Sequence, residues 1–422
     1  MLIVGAGQAG VQIAESLRQE GWTGGVVLIG EEPHGPYHRP PLSKKWLAEP
    51  GTSGALAIRG LPALARKNIE LKLGARVALI DRAARGLRFE DGSTLTYGGL
   101  ALATGSRARN LPPPDGALAG VHTLRSVEDS ARIGAEIRRC AAQNQPVVVI
   151  GGGFIGLEVA ATARKLGAQA VVLEGLGRLM SRVTAPIVSD AFLRLHRAHG
   201  VQIVFDVKVT ALVAAEGRVN AVRTADGHEY AAGCVIVGIG VQPDDRLAVA
   251  AGIACERGII VDECGRTSDP HIVAAGDCTA RRLHDGTLLR LESVQNAVEQ
   301  GKSAAAALLG RERPFRAAPW FWSDQYDCKL QMVGLSSGYD EVVARGDLTK
   351  PAFSAYYFRA GRLIAVDSLS RPGDHLCARK LLDAGLSPTP AQVSDPQFDL
   401  SSLLTDRTAT AAATVAAVAD PE

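Results

Sequence analysis

Two stretches of the chain, residues 2–32 and 147–175, carry the same pattern of apolar and polar positions. Each opens with a short apolar run that enters a glycine-rich turn, "VGAGQAG" or "VIGGGFIG", and then changes to helical periodicity. A second apolar run follows and ends at Glu31 or Glu174. The pattern predicts two copies of a strand–helix–strand unit. The apolar residues of each predicted helix share one face: Val11, Ile13, Ala14 and Leu17 in the first, and Leu157, Ala160, Ala161 and Leu166 in the second.

Further segments extend this repeat. The apolar runs in "LALATGSRARNLP" (100–112) and "CVIVGIGVQPDD" (234–245) lead into small residues and then proline, and we expect them to complete the two halves at equivalent points. Between the halves, Ser126 is predicted to cap a linking helix, with Asp129 three residues later. The proline-rich "NLPPPDG" before that helix predicts a crossing between domains.

The pattern changes after residue 316. The runs "FWSDQYDCKLQMVGL" and "AFSAYYFRAGRLIAVDSL" predict antiparallel strands with a hairpin near Ala360 and Gly361, and "HLCARKLLDAG" predicts a helix. We expect a C-terminal α+β domain over 317–405. The Ala/Thr-rich residues 406–422 are low in complexity and predict a disordered tail, with a loosely held helix as the alternative.

The composition is that of an ordinary globular protein: 422 residues, 46% hydrophobic and 21% charged, with a formal net charge of +2. This length predicts two or three domains, and the near-neutral charge argues against a nucleic-acid partner. No apolar run reaches the roughly 20 residues of a membrane span, and we expect neither a signal peptide nor membrane binding. Seven scattered cysteines without metal-like spacing favour a cytoplasmic protein with no metal site.

The first glycine-rich turn has the spacing of a dinucleotide-binding fingerprint. Gly5 would permit a tight turn, Gly7 would let the backbone approach a pyrophosphate, and Gly10 would let the helix pack closely on the strand. The pyrophosphate would lie at the helix N-terminus, and Glu31, 26 residues after Gly5, would accept hydrogen bonds from a ribose. A glycine-rich turn without a ligand is the alternative, but the ordered strand, turn, helix, strand and acid favour a dinucleotide.

The second turn repeats this geometry with Gly151, Gly153 and Gly156. Glu174 ends the second strand, where a carboxylate accepts from the 2′-hydroxyl of NAD and repels a 2′-phosphate. The first arginine after it is Arg178, so NADH is favoured over NADPH. A solvated acid at a strand end is the alternative for Glu174.

Two short segments resemble flavoproteins that carry two dinucleotide-binding domains. "GRTSDPHIVAAGDC" (265–278) is similar to their second flavin motif, and "ATG" (103–105) to another short motif. The resemblance implies FAD, with Asp277 holding the ribityl chain; a helix N-cap is the alternative for Asp277 alone. The implied fold class is α/β, with two Rossmann-like, glutathione-reductase-like domains plus the C-terminal α+β domain. The FAD-binding domain would be discontinuous, over 1–112 and 241–316, and the NAD-binding domain would span 113–240.

The position of the first cysteine bears on the chemistry. Disulphide reductases of this architecture carry a redox cysteine near the flavin, usually in the first FAD-binding segment, whereas residues 1–139 contain no cysteine. The stretch where it would stand reads "PYHRPPLSKKWL" (36–47). We therefore expect neither a disulphide reductase nor a single-cysteine NADH oxidase or peroxidase.

Four separated segments resemble the NADH-dependent, FAD-containing ferredoxin reductases of bacterial oxygenase systems. They are "PYHRPPLSK" (36–44), "RLMSRVTAP" (178–186), "RLESVQNAVEQGKSAA" (290–305) and "PWFWSDQYDCKLQMVGL" (319–335). The resemblance covers about residues 2–400. It departs at His38, where an acid is common in the family, and at the first strand, which lacks the usual few preceding residues.

This resemblance implies roles for individual residues. Lys44 would lie near the reactive nitrogen of the flavin, where its charge would stabilise anionic reduced flavin. Glu158 would reach the nicotinamide end and pair with Lys44, and Trp322 would lie beside the two rings. The alternatives are a surface lysine, an ordinary first-turn helix acid and a buried core tryptophan. Further cofactor contacts are implied for Ala9, Val77, Arg125 and Val294 with FAD, and for Ile155, Arg182 and Gly240 with NAD.

The implied reaction is hydride transfer from NADH to FAD, followed by single-electron transfer to two molecules of a small, acidic two-iron two-sulfur ferredoxin. That ferredoxin would feed a haem monooxygenase or a ring-hydroxylating dioxygenase. Arg311 and Arg313 are candidates for a docking patch, or belong to a solvated loop. We expect a monomer. The alternatives are a rubredoxin reductase or other NADH oxidoreductase, and a redox-sensing flavoprotein resembling the apoptosis-inducing factors.

Overall fold

A computed structural model describes residues 1–51, 56–112, 118–283 and 286–405. The chain divides into two compact units, each built from separate stretches of sequence. The predicted tail at 406–422 and part of the proline-rich crossing lie outside the described residues. The three-domain division stays a prediction. The first unit comprises Met1–Asn110, Thr123–Arg132 and Ile239–Arg316, and the second Leu111–His122, Ile133–Gly238 and Ala317–Glu422.

Short strands dominate the described residues, and α-helices and one 3₁₀ helix join them. The strands are β1 Leu2–Val4, β2 Val26–Ile29, β3 Ile69–Lys72, β4 Val77–Asp81, β5 Gly86–Phe89, β6 Thr94–Thr96, β7 Leu100–Leu102, β8 Ser106–Ala108, β9 Val121–His122, β10 Pro146–Ile150, β11 Gln169–Leu173, β12 Val201–Val204, β13 Val209–Ala215, β14 Arg218–Thr224, β15 Glu229–Ala231, β16 Cys234–Val237, β17 Val241–Pro243, β18 Ile259–Val261, β19 Ile272–Ala274, β20 Thr279–Arg282, β21 Leu288–Leu289, β22 Trp320–Gln325, β23 Cys328–Gly334, β24 Glu341–Asp347, β25 Ala352–Arg359 and β26 Arg362–Leu369. The helices are α1 Gln8–Gln19, the 3₁₀ helix Pro40–Ser43, α2 Lys45–Ala48, α3 Leu61–Arg66, α4 Val127–Ala142, α5 Phe154–Lys165, α6 Pro186–Ala198, α7 Arg246–Ala250, α8 Val294–Leu308, α9 Pro372–Asp383 and α10 Pro390–Ser394.

The first unit is built on a five-stranded parallel sheet in the order β19-β7-β1-β2-β3. Its central strands are apolar throughout because helices or other layers cover both faces, which is typical of parallel sheets. All three residues of β1 and of β7 are buried. Helix α8 packs on α1 beside this sheet.

The second unit contains an equivalent sheet, β12-β11-β10-β16-β9, which is also parallel throughout. In the first sheet, β1 leads into the glycine turn and lies between β2 and β7. In the second sheet, β10 leads into the glycine turn and lies between β11 and β16. The predicted repeat is therefore confirmed. The repeat also includes two three-stranded antiparallel sheets, β4-β5-β6 and β13-β14-β15, which follow β3 and β12 at equivalent points and were not predicted.

The predicted helix faces are buried with one exception. All four apolar residues named in α1 are at most 1% exposed, and three of the four in the second segment are at most 5% exposed. Leu166 is only partly buried because α5 ends at Lys165 and Leu166 is its C-cap. The periodicity therefore extended one residue too far.

The C-terminal part of the second unit is a five-stranded antiparallel sheet, β22-β23-β26-β25-β24, covered by α9. The predicted hairpin joins β25 to β26 through Ala360 and Gly361, whose φ angles are 48° and 72°. Positive φ at both turn residues is the requirement of a two-residue type I′ hairpin. The hairpin and the following helix are confirmed.

The predicted helix cap also forms. The amide of Asp129 donates to Ser126 Oγ at 3.1 Å, and the amide of Ser126 donates to Asp129 Oδ2 at 2.8 Å. This reciprocal pair is a capping box in which aspartate replaces the usual glutamate. Among the residues that the structure describes, no helix is both long and apolar enough to cross a membrane.

Candidate active site

Parallel strands β1, β7 and β19 end at one edge of the first sheet, and the glycine turn lies there. Gly5 has φ of +113°, and a Cβ built on it would lie 2.1 Å from the carbonyl oxygen of Ala103. A Cβ on Gly10 would lie 1.9 Å from the carbonyl oxygen of Gly5. Both positions therefore require glycine. Because Gly5 has no side chain, the backbone of the "ATG" motif can pass close to it. Because Gly10 has none, α1 can pack closely on the turn.

The N-terminus of α1 is open toward this edge. Its N-cap is Gly7, which offers no side-chain cap, and no atom lies within 4 Å of a Cβ built there. The first amide groups of a helix lack intrahelical partners and attract anions. The buried Oε1 atom of Gln8, the next residue, has no hydrogen-bond partner among the described residues. These features fit a dinucleotide pyrophosphate.

Asp277 follows β19 and lies at the same edge. Its Oδ2 atom accepts from Ser106 Oγ at 2.9 Å and lies 3.3 Å from an Arg125 guanidinium nitrogen. Gly276 has φ of +87°, and a Cβ there would lie 3.2 Å from the Cβ of Ala9. The structure thus brings Ala9, Arg125 and Asp277 to one edge of the sheet, and their contact with FAD stays a prediction.

Arg125 is positioned from two sides. Its backbone amide donates to Asp129 Oδ2 at 3.0 Å, so the capping box of α4 also anchors Arg125. A Cβ on Gly105 of the "ATG" motif would lie 3.2 Å from the Arg125 guanidinium. The motif glycine therefore leaves the space through which Arg125 reaches Asp277.

A network of charged side chains beside Arg125 was not predicted from the sequence. Arg39 donates to Glu32 Oε1 at 2.6 Å, to Tyr37 OH at 2.9 Å and to the carbonyl oxygen of Arg125 at 2.7 Å. By contrast, the side chain of Glu31 is 63% exposed and lies 3.8 Å from Arg76. Glu31 is therefore accessible for a ribose, whereas Glu32 is engaged by the protein. The signal in the sequence was the run of charged and aromatic residues in "EEPHGPYHR".

Lys44 ends a rigid turn. Two prolines open the 3₁₀ helix Pro40–Ser43, Leu42 is 2% exposed, and Ser130 Oγ donates to the carbonyl oxygen of Leu42 at 2.7 Å. Lys44 is partly buried, and its Nζ donates to the carbonyl oxygen of Pro40 at 3.2 Å. This hydrogen bond ties the ammonium to its own turn, and the place of Lys44 beside a flavin stays a prediction.

The two valines predicted for the flavin site lie on separate elements of the first unit. Val77 begins β4 and is 7% exposed within an apolar cluster that includes Leu102. Val294 is the first residue of α8, is partly buried, and follows the N-cap Ser293. Their contact with a flavin stays a prediction.

The second sheet ends in a matching turn. A Cβ on Gly156 would lie 2.2 Å from the carbonyl oxygen of Gly151, whereas no atom lies within 4 Å of a Cβ on Gly153. Gly153 is the N-cap of α5 and offers no side-chain cap. Gly151 has φ of +110°. The close packing and the open helix N-terminus of the first turn thus recur here, and the turn fits a second dinucleotide. Ile155, predicted to contact NAD, lies in the first turn of α5 and is 41% exposed.

Glu174 directly follows β11 and bonds to the turn. Its two carboxylate oxygens accept from the amides of Gly152, at 2.6 Å, and Leu176, at 2.8 Å. Arg178 donates to the carbonyl oxygens of Ser181, at 2.7 Å, and Thr184, at 2.6 Å, and so shapes the loop that carries Arg182. Because Arg178 is engaged by the loop while Arg182 is exposed, Arg182 is the better placed of the two for a nucleotide.

Glu158 lies on α5, two residues after Gly156, and is 4% exposed. Its Oε1 atom accepts from Ser323 Oγ at 2.6 Å. Ser323 belongs to β22, where Phe321 on the same face contacts the ring of Phe154 with centroids 4.8 Å apart. Sequence reasoning missed Ser323 because the contact joins residues far apart in the chain.

Trp322 is partly buried on the opposite face of β22 from Ser323, and its ring centroid lies 5.6 Å from that of Trp320. Its place beside the flavin and nicotinamide stays a prediction. Lys44 belongs to the first unit and Glu158 to the second, so their pairing also stays a prediction. Gly240, predicted for NAD, belongs to the first unit, has φ of +102° and has open space where a Cβ would stand.

The described cysteines, which include all seven in the sequence, are free thiols. Cys278 directly follows Asp277 but is completely buried, and burial raises its pKa to about 11. The reactive form of cysteine is the thiolate. The thiol beside the first dinucleotide turn therefore stays protonated at neutral pH and is unsuited to disulphide exchange.

Two parallel sheets, each ending in a glycine turn, an open helix N-terminus and an acid, define an oxidoreductase with two dinucleotide-binding halves. The chain belongs to the pyridine nucleotide-disulphide oxidoreductase family, and its residues 1–301 match the sequence pattern of that family. Residues 320–404 match a second family, described as reductase C-terminal. Family members use FAD and NAD(P)H.

Several known proteins similar to this chain are ferredoxin reductases. Rhodocoxin reductase from Rhodococcus erythropolis is 43% identical over 401 residues, which are 95% of this chain and 93% of that protein. The crystal structure of the ferredoxin reductase for the CYP199A2 system from Rhodopseudomonas palustris is 43% identical with a TM-score of 0.91, covering 95% of this chain and 98% of that one. The covalent complex of putidaredoxin reductase with putidaredoxin is 40% identical with a TM-score of 0.91, covering 96% and 98%.

Proposed function

We propose that this protein is an NADH-dependent, FAD-containing ferredoxin reductase that supplies electrons to a bacterial oxygenase. The observation that carries the proposal is the presence of two dinucleotide cradles in one chain, with the buried, protonated thiol of Cys278 at the first. A disulphide reductase of this architecture needs a reactive cysteine in the first FAD-binding segment, and residues 1–139 contain no cysteine. The similarity to ferredoxin reductases over nearly the whole chain supports the same function.

Each cradle has residues suited to its cofactor. When bound, FAD accepts a hydride from a nicotinamide and passes electrons on singly. Asp277 and Arg125 would orient the FAD chain, and the N-terminus of α1 would hold its pyrophosphate. Lys44, fixed at the end of its proline turn, would place positive charge at the flavin. Glu174 and the N-terminus of α5 would hold the NADH.

The proposed preference for NADH rests on Glu174. Replacing Glu174 with Gln and Gly175 with Arg should lower the ratio of kcat/KM for NADH to that for NADPH by about 10- to 100-fold, since hydrogen bonds to charged groups contribute about 1.5–3 kcal/mol. Steady-state assays with both nucleotides measure the ratio. Gly175 has room for a side chain, because the nearest atom to its Cβ lies at 3.6 Å. Glu216→Gln, at an exposed turn of the same unit, is the control. An unchanged ratio in the double variant would refute the role of Glu174.

The proposed partner is a small, acidic two-iron two-sulfur ferredoxin. Turnover with such a partner should fall as ionic strength rises, because salt screens the attraction between opposite charges. Arg311 and Arg313 lie in an exposed segment, and Arg311 pairs with Glu20 at 2.9 Å, so the solvated-loop reading suits both better than a docking patch. A cytoplasmic location and a monomeric state also belong to this proposal.

Acceptor assays separate the proposal from its alternatives. The FAD-loaded protein is given NADH with a two-iron two-sulfur ferredoxin, a rubredoxin or dioxygen as acceptor. We expect the ferredoxin to be reduced fastest. Faster reduction of rubredoxin or dioxygen would replace the proposed function with a rubredoxin reductase or an oxidase. Reduced flavin that persists in air with every acceptor idle would indicate a redox sensor.

A further inference from the structure

A continuous row of buried polar side chains begins at Glu158 and runs along β22 to α6. Ser323 Oγ is 2.6 Å from Glu158 Oε1, Gln325 Nε2 is 3.1 Å from Ser323 Oγ, and His196 Nε2 is 2.7 Å from Gln325 Oε1. Ser323, Gln325 and His196 are each 0% exposed. All of these residues belong to the second unit.

The direction of these hydrogen bonds follows from their ends. At one end, the Ser323 hydroxyl donates to Glu158 Oε1. The Ser323 oxygen is then left to accept from the Gln325 amide nitrogen, which turns the Gln325 oxygen toward His196. His196 must therefore carry its proton on Nε2 and donate it.

The state of His196 agrees with this direction. Burial lowers the pKa of His196 to about 4, so the ring is neutral at physiological pH and carries one proton. Its Nδ1 atom is buried without a hydrogen-bond partner among the described residues. An unprotonated Nδ1 leaves the single proton on Nε2, where Gln325 accepts it.

Packing alone does not explain why these buried positions carry polar side chains. Burying a hydroxyl, an amide and an imidazole costs free energy unless each is hydrogen-bonded, and apolar side chains would fill the same space at lower cost. Strand periodicity places Phe321, Ser323 and Gln325 on one face, where Phe321 packs apolarly on Phe154. The polar residues of this face, Ser323 and Gln325, continue the row from Glu158, which lies five residues after Gly153 on α5.

We propose that Ser323 is a positioning residue that fixes the Glu158 carboxylate for recognition of the nicotinamide end of NADH, and that Gln325 and His196 fix the direction of the Ser323 hydroxyl. The inference rests on the proposed function, since it takes Glu158 as the nicotinamide-end acceptor. In this inference the hydrogen bond from Ser323 holds one carboxylate oxygen of Glu158 in a fixed position.

Equilibrium binding to the oxidised, FAD-loaded protein tests this without turnover. Ser323→Ala should weaken binding of NAD⁺ by up to about tenfold, since the hydrogen bond that holds Glu158 contributes at most about that factor, and should leave ADP-ribose, which lacks nicotinamide, within about twofold. Ser323→Thr, which keeps the hydroxyl, should restore NAD⁺ binding. Ser368→Ala removes an equally buried serine hydroxyl from β26 of the same sheet and should change neither ligand.

The outcomes separate the inference from the proposed function. Equal changes for NAD⁺ and ADP-ribose in Ser323→Ala, or no change for either, overturn the positioning role. A wild-type protein whose flavin NADH does not reduce overturns the proposed function instead. If Ser323→Ala fails to fold, nitrogen-15 NMR of wild-type His196 decides: a neutral ring protonated on Nε2 supports the row, and a proton on Nδ1 or a charged ring at neutral pH contradicts it.

Discussion

Replacing Gly156 with alanine is expected to abolish the second dinucleotide site. The added Cβ would lie 2.2 Å from the carbonyl oxygen of Gly151, so α5 must move away from the turn. Overpacking of this kind costs typically 1–3 kcal/mol of unfolding free energy. Each hydrogen bond from the helix amides to the charged pyrophosphate that is lost should weaken NAD⁺ binding by about 10- to 100-fold. Denaturant unfolding and titration with NAD⁺ measure the two effects.

Two alanine variants sharpen this test. Gly153→Ala meets no atom within 4 Å, so the variant should fold as the wild type does but bind NAD⁺ more weakly, because the methyl group occupies the approach to the helix N-terminus. Gly373→Ala, in α9, also meets no atom within 4 Å and should change neither property. Normal stability and normal binding in Gly156→Ala would contradict the close packing of α5 on its turn.

The second large effect concerns Asp367, which is 1% exposed in β26. Burial raises the pKa of Asp367 to about 7, although the hydrogen bond from Tyr357 OH, at 2.5 Å, opposes the rise. The Tyr357 hydroxyl also accepts from the amide of Ala185, at 2.9 Å. Ala185 is the N-cap of α6 and ends the loop that carries Arg182. Through Tyr357 and Ala185, Asp367 is thus connected by hydrogen bonds to the segment proposed to hold the NADH adenosine.

Stability should depend on pH through this group. Its unfolded pKa is about 3.9, so between about pH 4 and pH 7 the unfolded chain releases the proton while the folded protein keeps it. The stabilisation from the protonated form is fully present below pH 4 and is lost as pH rises through 7. Asp367→Asn should remove this fall, which amounts to about 1.4 kcal/mol per pKa unit, and should therefore be more stable than the wild type at pH 8.

Denaturant unfolding at pH 4, 6 and 8 measures the slope. Tyr357→Phe provides the contrast, because it removes the hydrogen bond that lowers the pKa of Asp367 and should extend the fall to higher pH. Parallel pH profiles for wild type and Asp367→Asn would show that Asp367 ionises normally in the folded protein and would refute this account.

Local sequence signals predicted the parts of the fold that local chemistry determines. The Ala360–Gly361 hairpin follows from turn residues that accept positive φ, and the cap of α4 follows from Ser126 and Asp129 at the right spacing. The glycine turns were predicted from the spacing of their glycines, and at Gly10 and Gly156 a Cβ is excluded by backbone five residues earlier. The meanders β4-β5-β6 and β13-β14-β15 were missed because most of their strands are half exposed and the last strand of each has only three residues.

The parts of the site that depend on distant contacts could not be predicted from one sequence. Ser323 meets Glu158 across 165 residues of chain, and Arg39 meets Arg125 across 86. Asp367 is one of three polar residues in β26, and its pKa is raised by burial, which that pattern does not reveal. In each case the tertiary packing, rather than the residue's neighbours in sequence, determines its chemistry.

Anaerobic mixing in two steps tests the central claim most directly. The FAD-loaded protein is first mixed with one equivalent of NADH while the flavin absorbance is followed, and then with an oxidised two-iron two-sulfur ferredoxin. We expect the flavin absorbance to bleach with NADH and to return as two ferredoxin molecules are reduced per NADH. Flavin that NADH leaves unbleached, or ferredoxin that stays oxidised while the flavin remains bleached, would contradict the account.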